Sequence, residues 1–176
     1  MIGGDGSGKM GAPAPAISIV EADLARPDHA RDVVALTQAY ALDPMGNGAP
    51  LDAAVTGRLI TGLREHPTTL IFLAYSGDQA VGIATCFRGF STFRARPLLN
   101  IHDLAVAPGQ RSRGIGARLL AAVEQKAREL GCCRLTLEVQ EHNANARRLY
   151  GRAGFAHMVY GEPAGGTLFY VKPLDG

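Results

Sequence analysis

The sequence predicts an α/β (α+β) domain, a central mixed and twisted sheet of about six to seven strands flanked by about four helices. Two observations carry this. Between residues 98 and 139 a β-rich run, a long amphipathic helix and a second β-rich run follow one another. Such a unit makes a parallel strand pair with a crossover helix. On either side, short β-rich runs meet at turns rich in Gly, Pro and Asp, the mark of antiparallel hairpins. A sheet that holds both kinds of pair is mixed.

The elements follow in order. Residues 1–16 are mostly Gly, Ala, Pro and Ser with little to bury, and are expected to be a disordered tail. The ordered chain, 17–176, is expected to be a single domain, in keeping with a length of 176 residues. Ile17 and Ile19 mark a first strand. Residues 28–42 place Val33, Val34, Leu36 and Tyr40 at helical spacing, and Asp43-Pro44 ends the pattern. After a turn at 46–50, residues 51–65 form a second helix with Leu51, Val55, Leu59, Ile60 and Leu63 apolar. Strands at 68–76 and 80–87 pair around Gly77-Asp78, and 89–97 reads as a loop. A strand at 98–106 stops at Pro108-Gly109. The helix at 114–130 carries Ile115, Leu119, Leu120, Val123, Ala127 and Leu130, and Gly131 closes it. A strand at 134–139, a helix at 144–153 closed by Gly154, and a strand pair at 155–160 and 167–172 complete the chain. No internal repeat interrupts this order.

Composition excludes several functions. Hydrophobic residues make up 47% and charged residues 19%, as in a globular domain. No apolar run reaches the roughly 18 residues needed to cross a bilayer, and the N-terminus has no signal-peptide pattern. A cytoplasmic location and no membrane partner are therefore expected. The net charge is +2, from 18 basic and 16 acidic residues, which argues against a nucleic-acid partner. A local cluster at Arg111, Arg113 and Arg118 suits a small anion better than a polymer. The three cysteines, Cys86, Cys132 and Cys133, have no metal-ligand spacing and read as reduced thiols. Residues 3–10, GGDGSGKM, nearly match a nucleotide phosphate loop. Met10, however, replaces the hydroxyl that would hold magnesium, no strand precedes the loop, and Pro13 and Pro15 stop a helix from following.

A second glycine turn has the right surroundings. Gln110-Arg111-Ser112-Arg113-Gly114-Ile115-Gly116 leaves a strand and opens a helix. The unpaired N–H groups and positive dipole end of a helix start favour an anion such as a pyrophosphate. Gly114 and Gly116 admit phosphates to the backbone, and Arg111 and Arg113 add charge there. Taken alone, the turn reads equally well as a loop-to-helix junction with solvated arginines. Further on, Asn143 stands where a helix N-cap belongs, and Ala146, Leu149, Tyr150 and Ala153 share one face of the helix that follows.

Together, IHDLAVAPGQRSRGIGARLL and LTLEVQEHNANARRLYGRAGF resemble the GCN5-related N-acetyltransferase (GNAT) family. The likeness is closest from Ile101 to Phe155 and extends more loosely to Ile17 and Val171. The resemblance implies that Arg111, Ser112, Arg113, Gly114, Ile115, Gly116 and Ala117 grip the pyrophosphate of acetyl-CoA. It implies that the strand before the turn opens at a bulge, and that Leu104, Ala105 and Val106 pair with the pantetheine arm. An N–H near Val106 would stabilise the tetrahedral oxyanion. Asn143 would lie near the same arm, and Tyr150 would protonate or hydrogen-bond the leaving thiolate. No metal and no acyl-enzyme are implied.

The attacking amine must be neutral, so a base is needed. Glu138 leads, with Glu141, Asp103, His102 and His142 as alternatives. The implied function is acetyl-CoA-dependent N-acetylation of a primary amine on a small molecule, by direct attack in a ternary complex. The alternatives are a peptide or protein acceptor, or a non-catalytic acyl-CoA-binding domain; intact Gly114, Gly116, Asn143 and Tyr150 argue against the last. A homodimer fits family habit. The acceptor itself is not written in these motifs. The segments that would hold it carry Tyr40, Asp43, Phe90, Phe93, Arg94, Arg96, Tyr160, Glu162 and Tyr170.

Overall fold

A computed structural model describes residues 15–156. Its strands are β1 (Ile17–Glu21), β2 (Thr69–Ser76), β3 (Gln79–Ser91), β4 (Arg96–Val106) and β5 (Leu135–Leu137), and its helices are α1 (Pro27–Ala41), α2 (Ala53–Glu65), α3 (Ile115–Glu129) and α4 (Ala144–Arg152). The five strands form one sheet in chain order. β1 to β4 are antiparallel neighbours, and β5 lies parallel to β4. The sheet is mixed, as expected. The strands expected at 155–160 and 167–172 lie outside the described residues, apart from 155 and 156. So does the expected tail, apart from 15 and 16. Among the described residues no helix is long and apolar enough to cross a membrane.

Each face of the sheet has its own core. Pro27 starts α1 with φ already set for a helix, and Asp28 favours the same end. Val33 and Leu36 then bury against Ile71, Leu73 and Ile83, with Ile60 and Leu63 of α2 at the margin. On the opposite face, Ile115, Leu119, Leu120, Val123 and Ala127 of α3 pack against Phe72, Ala84, Leu99 and Ile101. Gly82 lets α3 lie close to the sheet. A Cβ there would stand 3.1 Å from both Ile115 Cγ2 and Leu119 Cδ1. This contact holds the start of α3 beside the end of β4.

Two expected boundaries are corrected. Residues 89–97, expected as a loop, mostly continue the β3–β4 hairpin, with Gly89 opposite Leu98, Phe90 opposite Pro97 and Ser91 opposite Arg96. Pairing satisfies backbone groups that a loop would leave to water. Pro97 is tolerated because its backbone faces away from β3, its carbonyl accepting from the Cys133 N–H at 2.7 Å, so its missing N–H costs no β3–β4 hydrogen bond. The strand expected at 134–139 shortens to Leu135–Leu137. Its partner turns away after Ile101, the last residue of β4 that pairs with β5.

Candidate active site

The turning-away is a bulge. Thr85 pairs with Asp103 and Cys86 with Ile101, which leaves His102 as the extra residue of β4. Beyond it β4 keeps β3 on one side only among the described residues. The Ala107 N–H donates to the Val81 carbonyl at 2.9 Å. Since an antiparallel strand alternates its hydrogen-bonding sides, Leu104 and Val106 turn their N–H and C=O groups to the open edge. An extended amide chain could add there like a strand.

The turn after β4 is shaped by left-handed residues: Gly109 at φ 78°, Ser112 at φ 64° and Gly114 at φ 76°. Gly114 is the N-cap of α3. The helical ladder begins where the Arg118 N–H meets the Gly114 carbonyl at 3.1 Å. The N–H groups just ahead of it are left for another acceptor. No acidic residue stands in the first turn of α3 to compete for an anion.

Two details add to the expectation. Gly116 also serves helix packing, because a Cβ there would lie 2.9 Å from Leu149 Cδ2 of α4. The nearby arginines also have partners within the protein. Arg111 pairs with Asp43, Arg113 donates to Gln110 Oε1, and Arg118 donates to the Ile17 carbonyl at 3.0 Å. Arg111 is thereby neutralised, while Arg113 and Arg118, whose partners are neutral, keep their positive charge beside the turn.

Asn143 caps α4, its Oδ1 accepting from the Ala146 N–H at 3.1 Å. Asn143→Ala is expected to cost about 1 kcal/mol of stability, seen as a lower midpoint in urea unfolding; an unchanged midpoint would deny the cap any energetic role. From this cap α4 turns Ala146, Leu149 and Tyr150 inward, all half-buried, and the Tyr150 ring stands 5.9 Å from Phe155. Burial, with Tyr40 nearby, pushes the Tyr150 phenol up to about 12. Tyr40 is also raised, first by burial and then by Asp103 and Asp43.

These parts border one cleft of about 1100 Å³ between the opened strands and the starts of α3 and α4. That is at the upper end of the roughly 300–1,000 Å³ of small-molecule sites. Of the residues expected to hold the donor, all but Arg113 line it: Leu104, Ala105, Val106, Arg111, Ser112, Gly114, Ile115, Gly116, Ala117, Asn143 and Tyr150. Glu138, the leading base, lines it too, whereas the alternatives Asp103, Glu141 and His142 do not. Tyr40 and Asp43, expected on the acceptor side, line it too, as does His102. Glu138 is exposed, just past the end of β5. Asp103 is half-buried on the bulge; burial raises its carboxyl above the usual range, while His102 draws it down.

Other expectations fall elsewhere. Phe90 and Phe93 are exposed near the hairpin end, and Arg96 donates to the Gly131 carbonyl at 2.9 Å. Tyr160, Glu162 and Tyr170 lie outside the described residues. His142 and Glu141 are exposed. Cys86 is fully buried, and burial pushes its thiol up to about 12, which suits no nucleophile. Met45, Gln110, Arg148 and Arg152 also line the cleft and were missed. The only signals were a turn composition for the first two and solvated arginines for the others.

Known proteins are similar to this chain in sequence and in fold. The family model described as Acetyltransferase (GNAT) family matches residues 35–155. The uncharacterized N-acetyltransferase YhfO of Bacillus subtilis (strain 168) is 31% identical over 106 residues, 57% of this chain and 71% of that protein. Streptothricin acetyltransferase of Streptomyces lavendulae is 41% identical over 88 residues, 50% of this chain but only 44% of its own length. The crystal structure of a probable acetyltransferase shares the fold at a TM-score of 0.73 and 19% identity, covering 89% of this chain and 99% of its own.

Proposed function

The chain belongs to the GNAT acetyltransferase family and is an N-acetyltransferase, and from that premise we propose that it moves the acetyl group of acetyl-CoA to a primary amine of a small molecule. One observation carries this reading: the open edge of β4, the turn before α3 and Tyr150 border the same cleft. The β4 edge offers an amide-rich arm the hydrogen bonds of a missing strand. The turn offers N–H groups and a helix dipole to the pyrophosphate. A streptothricin acetyltransferase and an aminoalkylphosphonate N-acetyltransferase among the relatives support a small acceptor. The N-alpha-acetyltransferase MAK3, which matches about as much of the chain, keeps a peptide as the second reading.

The reaction assigned to the cleft is direct transfer. The neutral amine attacks the thioester carbonyl, and the outward N–H of Val106 steadies the oxyanion. The C–N bond forms and the C–S bond breaks. The amine proton passes to Glu138, directly or through water, and on to solvent. The Tyr150 phenol donates a hydrogen bond to the departing sulfur, which takes up its proton from solvent. Glu138 holds the base role because it lines the cleft and is open to solvent. Asp103 is the competing base, more enclosed on the bulge.

The test is a screen of small amines and peptide N-termini for release of free CoA thiol from acetyl-CoA. Turnover with small amines is expected; turnover with peptides alone would sink the acceptor class. With an acceptor in hand, Glu138→Gln should lower kcat by about 10²-fold or more. If Asp103→Asn does this and Glu138→Gln does not, the base is Asp103.

A further inference from the structure

Arg111 belongs to the phosphate turn, yet its guanidinium reaches the opposite wall. One nitrogen donates to Asp43 Oδ2, and Nε donates to the Val106 carbonyl at 3.3 Å. Asp43 lies just beyond α1, with its side chain only 11% exposed. Its other oxygen accepts from the Met45 N–H at 2.8 Å, and its backbone carbonyl accepts from Gly46 at 2.8 Å and Gly48 at 3.1 Å. The loop has little slack. A Cβ at Gly46 would lie 2.1 Å from the Tyr40 carbonyl oxygen, and the Ala49 N–H returns to the Ala41 carbonyl at 3.2 Å. Tyr40, Asp43 and Met45 all line the cleft from this side. The guanidinium also holds the Asp43 carboxyl below the usual carboxylate range. An exposed ion pair contributes little, but this one has a sheltered carboxylate, a second backbone contact and partners 68 positions apart in the chain.

We propose that Asp43 is a positioning residue that, through Arg111, ties the acceptor wall of the cleft to the phosphate turn, so that filling the turn tightens the wall. The inference rests on the donor-site reading above. In it the Arg111 backbone serves the anion while its side chain is a strut. An anion held by residues 111–116 fixes the Arg111 Cα and restricts its guanidinium. Asp43 and the amides hydrogen-bonded to it then lose freedom as well. Linkage is reciprocal, so an acceptor that orders the wall also strengthens donor binding.

The experiment is amide hydrogen exchange with and without saturating CoA, with calorimetry on the same samples. In the wild type, CoA should slow exchange at Met45, Gly46 and Gly48 by about fivefold or more, the lower end of common coupling strengths. Asp43→Asn keeps an oxygen for the Met45 N–H but loses the ion pair. It should still bind CoA, while the loop response falls below about twofold. Arg111→Gln should uncouple the loop from the other partner, and the double variant should add nothing further. A full loop response in both single variants, or a wild-type loop that ignores bound CoA, overturns the linkage and leaves the donor site standing. No CoA binding by the wild type overturns the donor reading and the linkage with it.

Discussion

Gly114→Glu should abolish measurable binding of acetyl-CoA while leaving the protein folded. The glycine sits at φ 76°, where any other residue adds strain of about 1–2 kcal/mol. Nothing lies within 4 Å of a Cβ built there, so the new side chain meets open space and the fold survives. Its carboxylate, however, would stand at the helix start where the pyrophosphate is proposed to bind. Two unit charges about 4 Å apart repel by ~4 kcal/mol at an effective dielectric of about 20. Salt screening takes part of that, and a loss of at least ~100-fold in affinity remains, about 2.7 kcal/mol. Gly114→Ala separates the causes, since it carries the same backbone strain without the charge. Calorimetry should rank the wild type above Ala, and Ala far above Glu. If Glu binds as tightly as Ala, the phosphates lie elsewhere.

Local signals were legible and distant ones were not. α3 and α4 were readable because their apolar faces repeat along a continuous stretch, and Gly131 and Gly154 punctuate their ends. The phosphate turn was readable because glycines follow a strand and open a helix. Asn143 was readable as a cap because capping is a contact across one helical turn. The hairpin at 89–97 was missed because its pairing depends on register with the facing strand, while Pro97 imitates a loop residue. β5 was drawn too long because its end is set by the His102 bulge in another strand. That Gly116 also makes room for Leu149 of a later helix was not legible. The pairing of Arg111 with Asp43 joins residues 68 apart, and no local pattern encodes it. In each miss, the deciding atom belongs to an element far away in the chain.

Tyr150→Phe should lower kcat by about 10²-fold, within the range of a lost hydrogen bond to a developing negative charge, and leave acetyl-CoA affinity nearly unchanged. The ring would keep its packing against Phe155, so only the hydroxyl is lost. Burial pushes that phenol up to about 12, which favours its neutral form. At neutral pH it therefore keeps its proton and can donate a hydrogen bond. Full transfer to a thiolate with an ordinary thiol pKa near 8.5 would run uphill by about 3.5 pKa units. The hydroxyl therefore acts by donating a hydrogen bond to the sulfur as the C–S bond breaks, and solvent completes the protonation. The direction of the shift also predicts the shape of the pH profile. Since Tyr150 stays protonated until pH approaches about 12, it puts no falling limb into the working range. The Phe variant should lower the whole profile without moving its limbs, which belong to the amine and the base. A falling limb near pH 10 in the wild type that disappears in Tyr150→Phe would mean that the phenol titrates as an ordinary tyrosine. Burial would then not be what keeps it a donor, and equal turnover by the two proteins would reduce Tyr150 to a packing residue.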